Sequence, residues 1–345
     1  MKKALAIVVA LLLIVWVLSW FRNPEAVATS GAKPWPGGMG TLELVAERYP
    51  AIEQNDAAKR LTALAQKLSQ DTAIDAFVAR GMARDAISIG AGPAVPEVAG
   101  IRELLLRERV VWGRPAGVAD IGDQETSARR GTQMTMARTL IASALTKARA
   151  DDAAAWDDLQ AVWNLARSLE DQPQLMSQTA ALAMVRMVNA LAWKMPLPAP
   201  EWFAGLQARD GVRPLLEAFQ YQTASYWGNG GSLFPNKWQA DGVEHDRLIA
   251  EGLSRETRCD VSAPVNKHGS DLTQIWRRAF RYRAEREATA NALRIREGKP
   301  IEESSVCSDG SWSFDGKTLR FSRTIETAPP DTPMPLVLQF ASAQD

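Results

Sequence analysis

The chain has 345 residues, with 40 Lys and Arg against 40 Asp and Glu, two histidines and two cysteines. Zero formal net charge leaves no global field to draw it to nucleic acid or to acidic polymers. Two histidines exclude a three-His zinc site, and neither an HExxH nor a CxxC motif occurs.

Residues 1–22 read as a signal-anchor transmembrane segment. Met1-Lys2-Lys3 precedes Ala4 to Trp20 (ALAIVVALLLIVWVLSW), a run without charge, Pro or Gly. As a helix it spans roughly 25 Å, enough for a short crossing of the hydrocarbon core. The two lysines favour a cytoplasmic N-terminus, which puts everything after Arg22 on the extracytoplasmic, periplasmic side of an inner membrane. Ala26-Val27-Ala28 offers a signal-peptidase site, so a cleaved signal is the alternative. The retained span is favoured because the apolar run is long and Trp16 and Trp20 suit an interface. Residues 4–20 therefore name the lipid bilayer as one partner.

Residues 23–40 (NPEAVATSGAKPWPGGMG) lack periodicity and read as a flexible, semi-extended linker. A helical domain over 41–300 follows. Asn55 caps a helix over Asp56–Leu68 whose Leu61, Leu64, Ala65 and Leu68 recur at helical spacing. Thr72–Arg84, Glu97–Val110 and Glu125–Ala150 follow the same pattern. Asp151-Asp152 reads as the cap and acidic first turn of a helix over Ala153–Leu169. Gln174–Lys194 is apolar on most faces, with Arg186 its one charge before Lys194, and reads as the buried central helix.

Short connections between such helices imply antiparallel neighbours. The expected fold is mainly α: stacked antiparallel α-hairpins, solenoid-like or bundled, with a small C-terminal β-hairpin element over 301–345 packed on the helical domain. Trp156, Leu159 and Trp163 are similar to the first-helix pattern of a tetratricopeptide repeat. The small residues that family needs in its second helix are not at the matching positions, and no family is assigned.

The period changes near the C-terminus. Trp312-Ser-Phe314, Asp315-Gly316 and Lys317-Thr-Leu319-Arg-Phe321 predict a hairpin closed by a two-residue turn. That register pairs Trp312 with Leu319 and Phe314 with Lys317, and places Trp312, Phe314, Leu319 and Phe321 on one face. Met334–Phe340 is a candidate edge strand. Cys259 and Cys307 lie in the exported part, where an isolated pair most simply forms one disulfide; two buried free thiols are the alternative.

Catalytic motifs are scarce. No G-x-S-x-G elbow occurs, and the one S-x-x-K runs from Ser30 to Lys33 inside the expected linker. Asp151, Asp152, Asp157 and Asp158 sit too far around a helix axis to act together, so the second pair reads as a solvated face. Met134, Met136, Met184 and Met187 read as core filler rather than a copper site. No metal or cofactor is expected.

Two segments carry the candidate binding residues. Ser225–Trp238 reads as a Gly/Asn-rich loop with Tyr226, Trp227, Phe234 and Trp238, able to grip a partner or to close the end of the core. Trp276–Arg286 carries Arg277, Arg278 and Arg281 among aromatics, facing an anionic partner or simply solvent. The first reading is a non-catalytic binding or scaffolding component of the cell envelope. The alternative is an envelope hydrolase using carboxylates near residues 225–246, for which a buried Glu244 or Asp246 with a raised pKa would speak.

Overall fold

A computed structural model of the chain describes residues 31–68, 72–83, 92–93, 97–118, 124–209, 211–228, 237–255, 272–304, 306–325 and 334–340. The expected span at 4–20, Phe234 and Cys259 lie outside these residues. No helix among the described residues is long and apolar enough to cross a membrane. The fold is mainly helical, with a small C-terminal antiparallel sheet.

In chain order the helices are α1 (Val45–Arg48), α2 (Asp56–Ala65), α3 (Thr72–Ala83), α4 (Val98–Arg107), α5 (Gln124–Arg149) and α6 (Ala155–Arg167). They continue with α7 (Leu175–Ala192), α8 (Trp202–Gln207), α9 (Arg213–Gly228), α10 (Lys237–Arg255) and α11 (Leu272–Arg296). Two compact units are interleaved along the sequence. The first takes residues up to Ala51, Pro115–Gly122 and Leu216–Arg255; the second takes Ile52–Arg114, Asp123–Leu215 and Glu256–Asp345.

The first unit contains α1, α10 and most of α9. Its described N-terminal stretch, expected as linker, is folded in. Trp35 and Met39 are each 2% exposed, and the Trp35 ring stands edge-on to Phe219 at 6.0 Å. The reason is local. Turns at Gly38 and Gly40, with φ of 70° and 74°, let the Trp35 amide bond the Gly40 carbonyl at 2.6 Å. An indole that buries this much apolar area outweighs the ordering of a few Gly and Pro residues. Below it Arg48 bonds the Gln220 side chain at 3.0 Å and the Met39 carbonyl, while Tyr49 meets Tyr221 edge-on at 5.2 Å.

The second unit is organised around α7. Leu182, Met184 and Val185 are 5%, 0% and 0% exposed, as an all-round apolar helix requires. α7 packs on α3, α5, α6 and α11, and α6 in turn packs on α4, α5 and α8. The Asn55 carboxamide caps α2 by accepting from the Ala58 N–H at 2.9 Å. The Asp152 carboxylate accepts the Ala154 N–H at 2.9 Å, but α6 itself begins only at Ala155. Trp156 meets Trp202 and Phe203 of α8 edge-on and donates its indole N–H to the Pro196 carbonyl at 2.7 Å.

The sheet has order β1 (Trp312–Phe314), β2 (Thr318–Phe321), β3 (Val337–Gln339), so the expected edge strand is present. The expected register is corrected. Trp312 pairs with Phe321 and Phe314 with Leu319, which leaves residues 315–317 between the strands in place of Asp315-Gly316 alone. The cause is Asp315, whose carboxylate accepts the amides of Lys317 and Thr318 at 2.9 and 2.7 Å and so draws both into the turn. A shift of two residues preserves side-chain parity, and Trp312, Leu319 and Phe321 are buried on the expected face. β2 packs on α11, and the Trp312 indole donates to Glu287 of that helix at 2.9 Å.

Candidate functional site

The candidate residues fall into both units. In the first unit, Tyr226 and Trp227 lie in the last turn of α9 and Trp238 in the first turn of α10. The expected loop is therefore shorter, with helix on either side of residues 229–236. The side chains of these three aromatics lie outside the described residues, as does Phe234.

The carboxylates of the alternative reading lie on α10, which buries Ala240, Val243, Ile249 and Ala250. Glu244 faces outward between two cations, Arg247 at 2.5 Å and Lys33 at 3.0 Å. Bonding to Arg247, supported by Lys33, holds its carboxyl at about 2, well below the usual carboxylate range. Asp246 turns inward and accepts the Thr223 hydroxyl at 2.9 Å. Burial pushes its carboxyl above the usual range, against the lowering effect of that hydroxyl.

In the second unit, α11 brings three of the sequence candidates into view, and one must be withdrawn. Arg281 is internal, not a surface arginine. Its Nε reaches Glu285 at 3.2 Å, and its other nitrogens reach the carbonyls of Ile325, at 3.0 Å, and Met334. Glu285 is also gripped by Arg186 of α7 through Nε–Oε2 and Nη2–Oε1 contacts, both 2.8 Å. The expectation failed because helical periodicity assigns faces but does not say that a buried carboxylate waits one turn away. The legible signal was Arg186, since one arginine in an apolar helix needs a partner inside. Arg277 and Arg278 are half-buried on the same helix.

A second internal ion cluster corrects the reading of Asp158 as part of a solvated face. Asp158 is 0% exposed and accepts from Arg102 at 3.1 Å, Ser143 at 2.7 Å and Lys147 at 2.6 Å. Every donor is directed at the one carboxylate, so the serine and lysine are held as structural partners rather than as nucleophile and base.

Two concavities meet at the end of α4, sharing Arg107 and Glu108. One, of about 480 Å³, is walled by residues 105–110 with Asn164, Arg167, Ser168, Glu170 and Asp171. The other, of about 470 Å³, has an apolar floor of Ala63, Leu64 and Leu104 and a charged rim including Arg60, Lys67 and Glu103. Their rims are tied by ion pairs: Arg60 with Glu108, Arg107 with Glu103 at 3.0 Å and Arg109 with Asp171 at 3.3 Å. Neither contains a candidate residue from the sequence. Among the described residues no group of three or more His, Cys, Asp or Glu is placed to hold a metal ion. Cys307 is buried, and no described cysteine is a free thiol. Its expected partner, Cys259, lies outside the described residues.

No protein-family model, curated protein or solved structure matches the chain.

Proposed function

We propose that this chain is a membrane-anchored extracytoplasmic protein, held by residues 4–20 in the inner membrane, whose stacked α-hairpins bind an envelope partner without catalysing a reaction. The Lys2-Lys3 and apolar-run pattern supports the anchor. The hairpin description draws support from consecutive helices packed on each other, α5 on α6 and α6 on α7, across short connections. The candidate binding residues are Tyr226, Trp227, Phe234 and Trp238 in the first unit or, as a separate alternative in the second, Arg277 and Arg278.

One observation carries the preference for binding over hydrolysis: Glu244 is locked by Arg247 and Lys33 at a pKa of about 2. A carboxylate held ionised by two cations has no proton to give a leaving group, and one this weakly basic is a poor general base. The raised Asp246 is the one observation on the side of a hydrolase; one of its two oxygens accepts the Thr223 hydroxyl. An export-dependent reporter fused after Asp345 tests the topology; activity of a cytoplasm-only reporter instead would refute it. Crosslinking of the full-length chain in membranes tests the rest. The crosslinked partner should persist in Glu244→Gln and Asp246→Asn, and disappear when Tyr226, Trp227, Trp238, Arg277 and Arg278 become alanine with melting unchanged. Release of soluble fragments from purified envelope material, lost in either carboxylate variant, would favour the hydrolase.

A further inference from the structure

Gly31 is where the folded part of the first unit is already under way. Its carbonyl accepts the Leu42 N–H at 3.1 Å, and two residues on, Lys33 pairs with Glu244 of α10 at 3.0 Å. Trp35, buried to 2% exposure, fixes this stretch against the unit. From the end of the expected span at Trp20 to Gly31 the chain can reach at most about 40 Å, whatever its conformation. The unit is thus leashed to the bilayer through Gly31, itself buried, and a leash this short raises the local concentration at the lipid of any exposed surface nearby.

The surface beside Gly31 is not wholly polar. Five large apolar side chains are conspicuously exposed among the described residues, and the two in this unit are Leu44, at 49%, and Leu248, at 53%. Leucines exposed singly are ordinary. Each lies within a few residues of a contact to the 31–33 stretch. Leu44 lies two residues beyond Leu42, which is bonded to Gly31, and Leu248 lies one helical turn beyond Glu244, which is bonded to Lys33. On α10 the outward row of Asp241, Glu244, Leu248 and Gly252 is otherwise polar or bare.

We propose that the face of the first unit around the exposed Lys33 rests on the lipid surface, with Leu44 and Leu248 entering the headgroup boundary. This rests on the membrane anchor of the proposed function and adds where the domain sits. Because Glu244 already neutralises much of Lys33 and Arg247, the contact is apolar in character and depends only weakly on salt.

The test uses the full-length chain in phosphatidylcholine vesicles doped with a phosphatidylcholine that carries a photoactivatable headgroup-proximal diazirine. Mass spectrometry should find lipid adducts within residues 4–20 and also at or beside both Leu44 and Leu248. Adducts in 4–20 with none at either leucine would overturn this inference and leave the anchor standing. A protein extracted by alkaline carbonate, with no adduct in 4–20, would overturn the anchor and this inference with it. Inserting about 40 Gly/Ser residues between Thr29 and Ser30 should lower the leucine adducts about tenfold, following the fall of effective concentration with tether length. The Leu44→Ser, Leu248→Ser double variant should melt as wild type and lose the same adducts; adduct yields unchanged by the insertion would refute the leash.

Discussion

Arg186 and Glu285, separated by 99 residues, meet in a two-point ion pair with both contacts at 2.8 Å and side chains only 5% and 0% exposed. Arg281 adds a second guanidinium on the same carboxylate and carries the contact on to the backbone at Ile325 and Met334. The central helix, the last helix and the segments flanking the sheet thus share one buried charge cluster. Stranding a buried charge usually costs about 3–5 kcal/mol, and removal of Arg186 approaches that figure from below because Arg281 stays on Glu285. Arg186→Met should lower unfolding free energy by that order in urea titrations followed by circular dichroism. Arg186→Lys, which keeps the charge but not the planar fork, should fall between the two. A loss below about 1 kcal/mol would place the pair in the class of surface salt bridges.

Asp246 is raised by burial, so in this unit the folded state holds its proton more firmly than the unfolded chain does. Its contribution to stability is therefore fullest below the ordinary carboxylate range and is lost as pH rises through the raised value. Asp246→Asn keeps an acceptor for Thr223 and removes the charge. The variant should melt higher than wild type at pH 7, and the advantage should shrink as pH is lowered toward 4. A lower melting temperature at pH 7 would show that the ionised carboxylate is needed.

At the hairpin, Gly316 holds φ at 91°, and a Cβ there would meet no atom within 4 Å. Any penalty for Gly316→Ala is then one of backbone conformation, about 1–2 kcal/mol. Asp315→Asn should be milder, because a carboxamide oxygen can still accept the two amides. Chemical-shift changes confined to the sheet, with reduced amide protection at Thr318 to Phe321, would register both effects. Equal stability of the alanine variant would contradict the positive φ.

Cys259 and Cys307 should be joined when the protein is exported. Closing residues 259–307, about 49 residues, restricts the unfolded chain by up to roughly 4 kcal/mol in the loop-entropy picture. Non-reducing mass spectrometry should recover the two peptides as one crosslinked species. Two thiols that alkylate in the native, unreduced protein would refute the pairing.

Whereas the end of α9 and the start of α10 read as loop, helix positions between Asp56 and Lys194, the cap at Asn55, the burial of α7 and the inward face of the hairpin were legible from residue order alone. Each depends on neighbours within a turn or two, and a period of 3.6 or 2 records which side of an element is apolar. Tertiary structure alone decided that Asp158 is interior, that Arg281 is a buried strut and that Trp35 is core in a stretch that reads as linker. It also decided the hairpin register, because two bonds from one aspartate outweighed the turn that its Asp-Gly pair favours. A charged side chain looks solvated until its partner is known. For Arg186 that partner lies 99 residues along the chain, and for Asp158 the partners lie on two other helices. Pattern along the chain says which side of a helix is polar; only folding says what that side meets, and whether water reaches it.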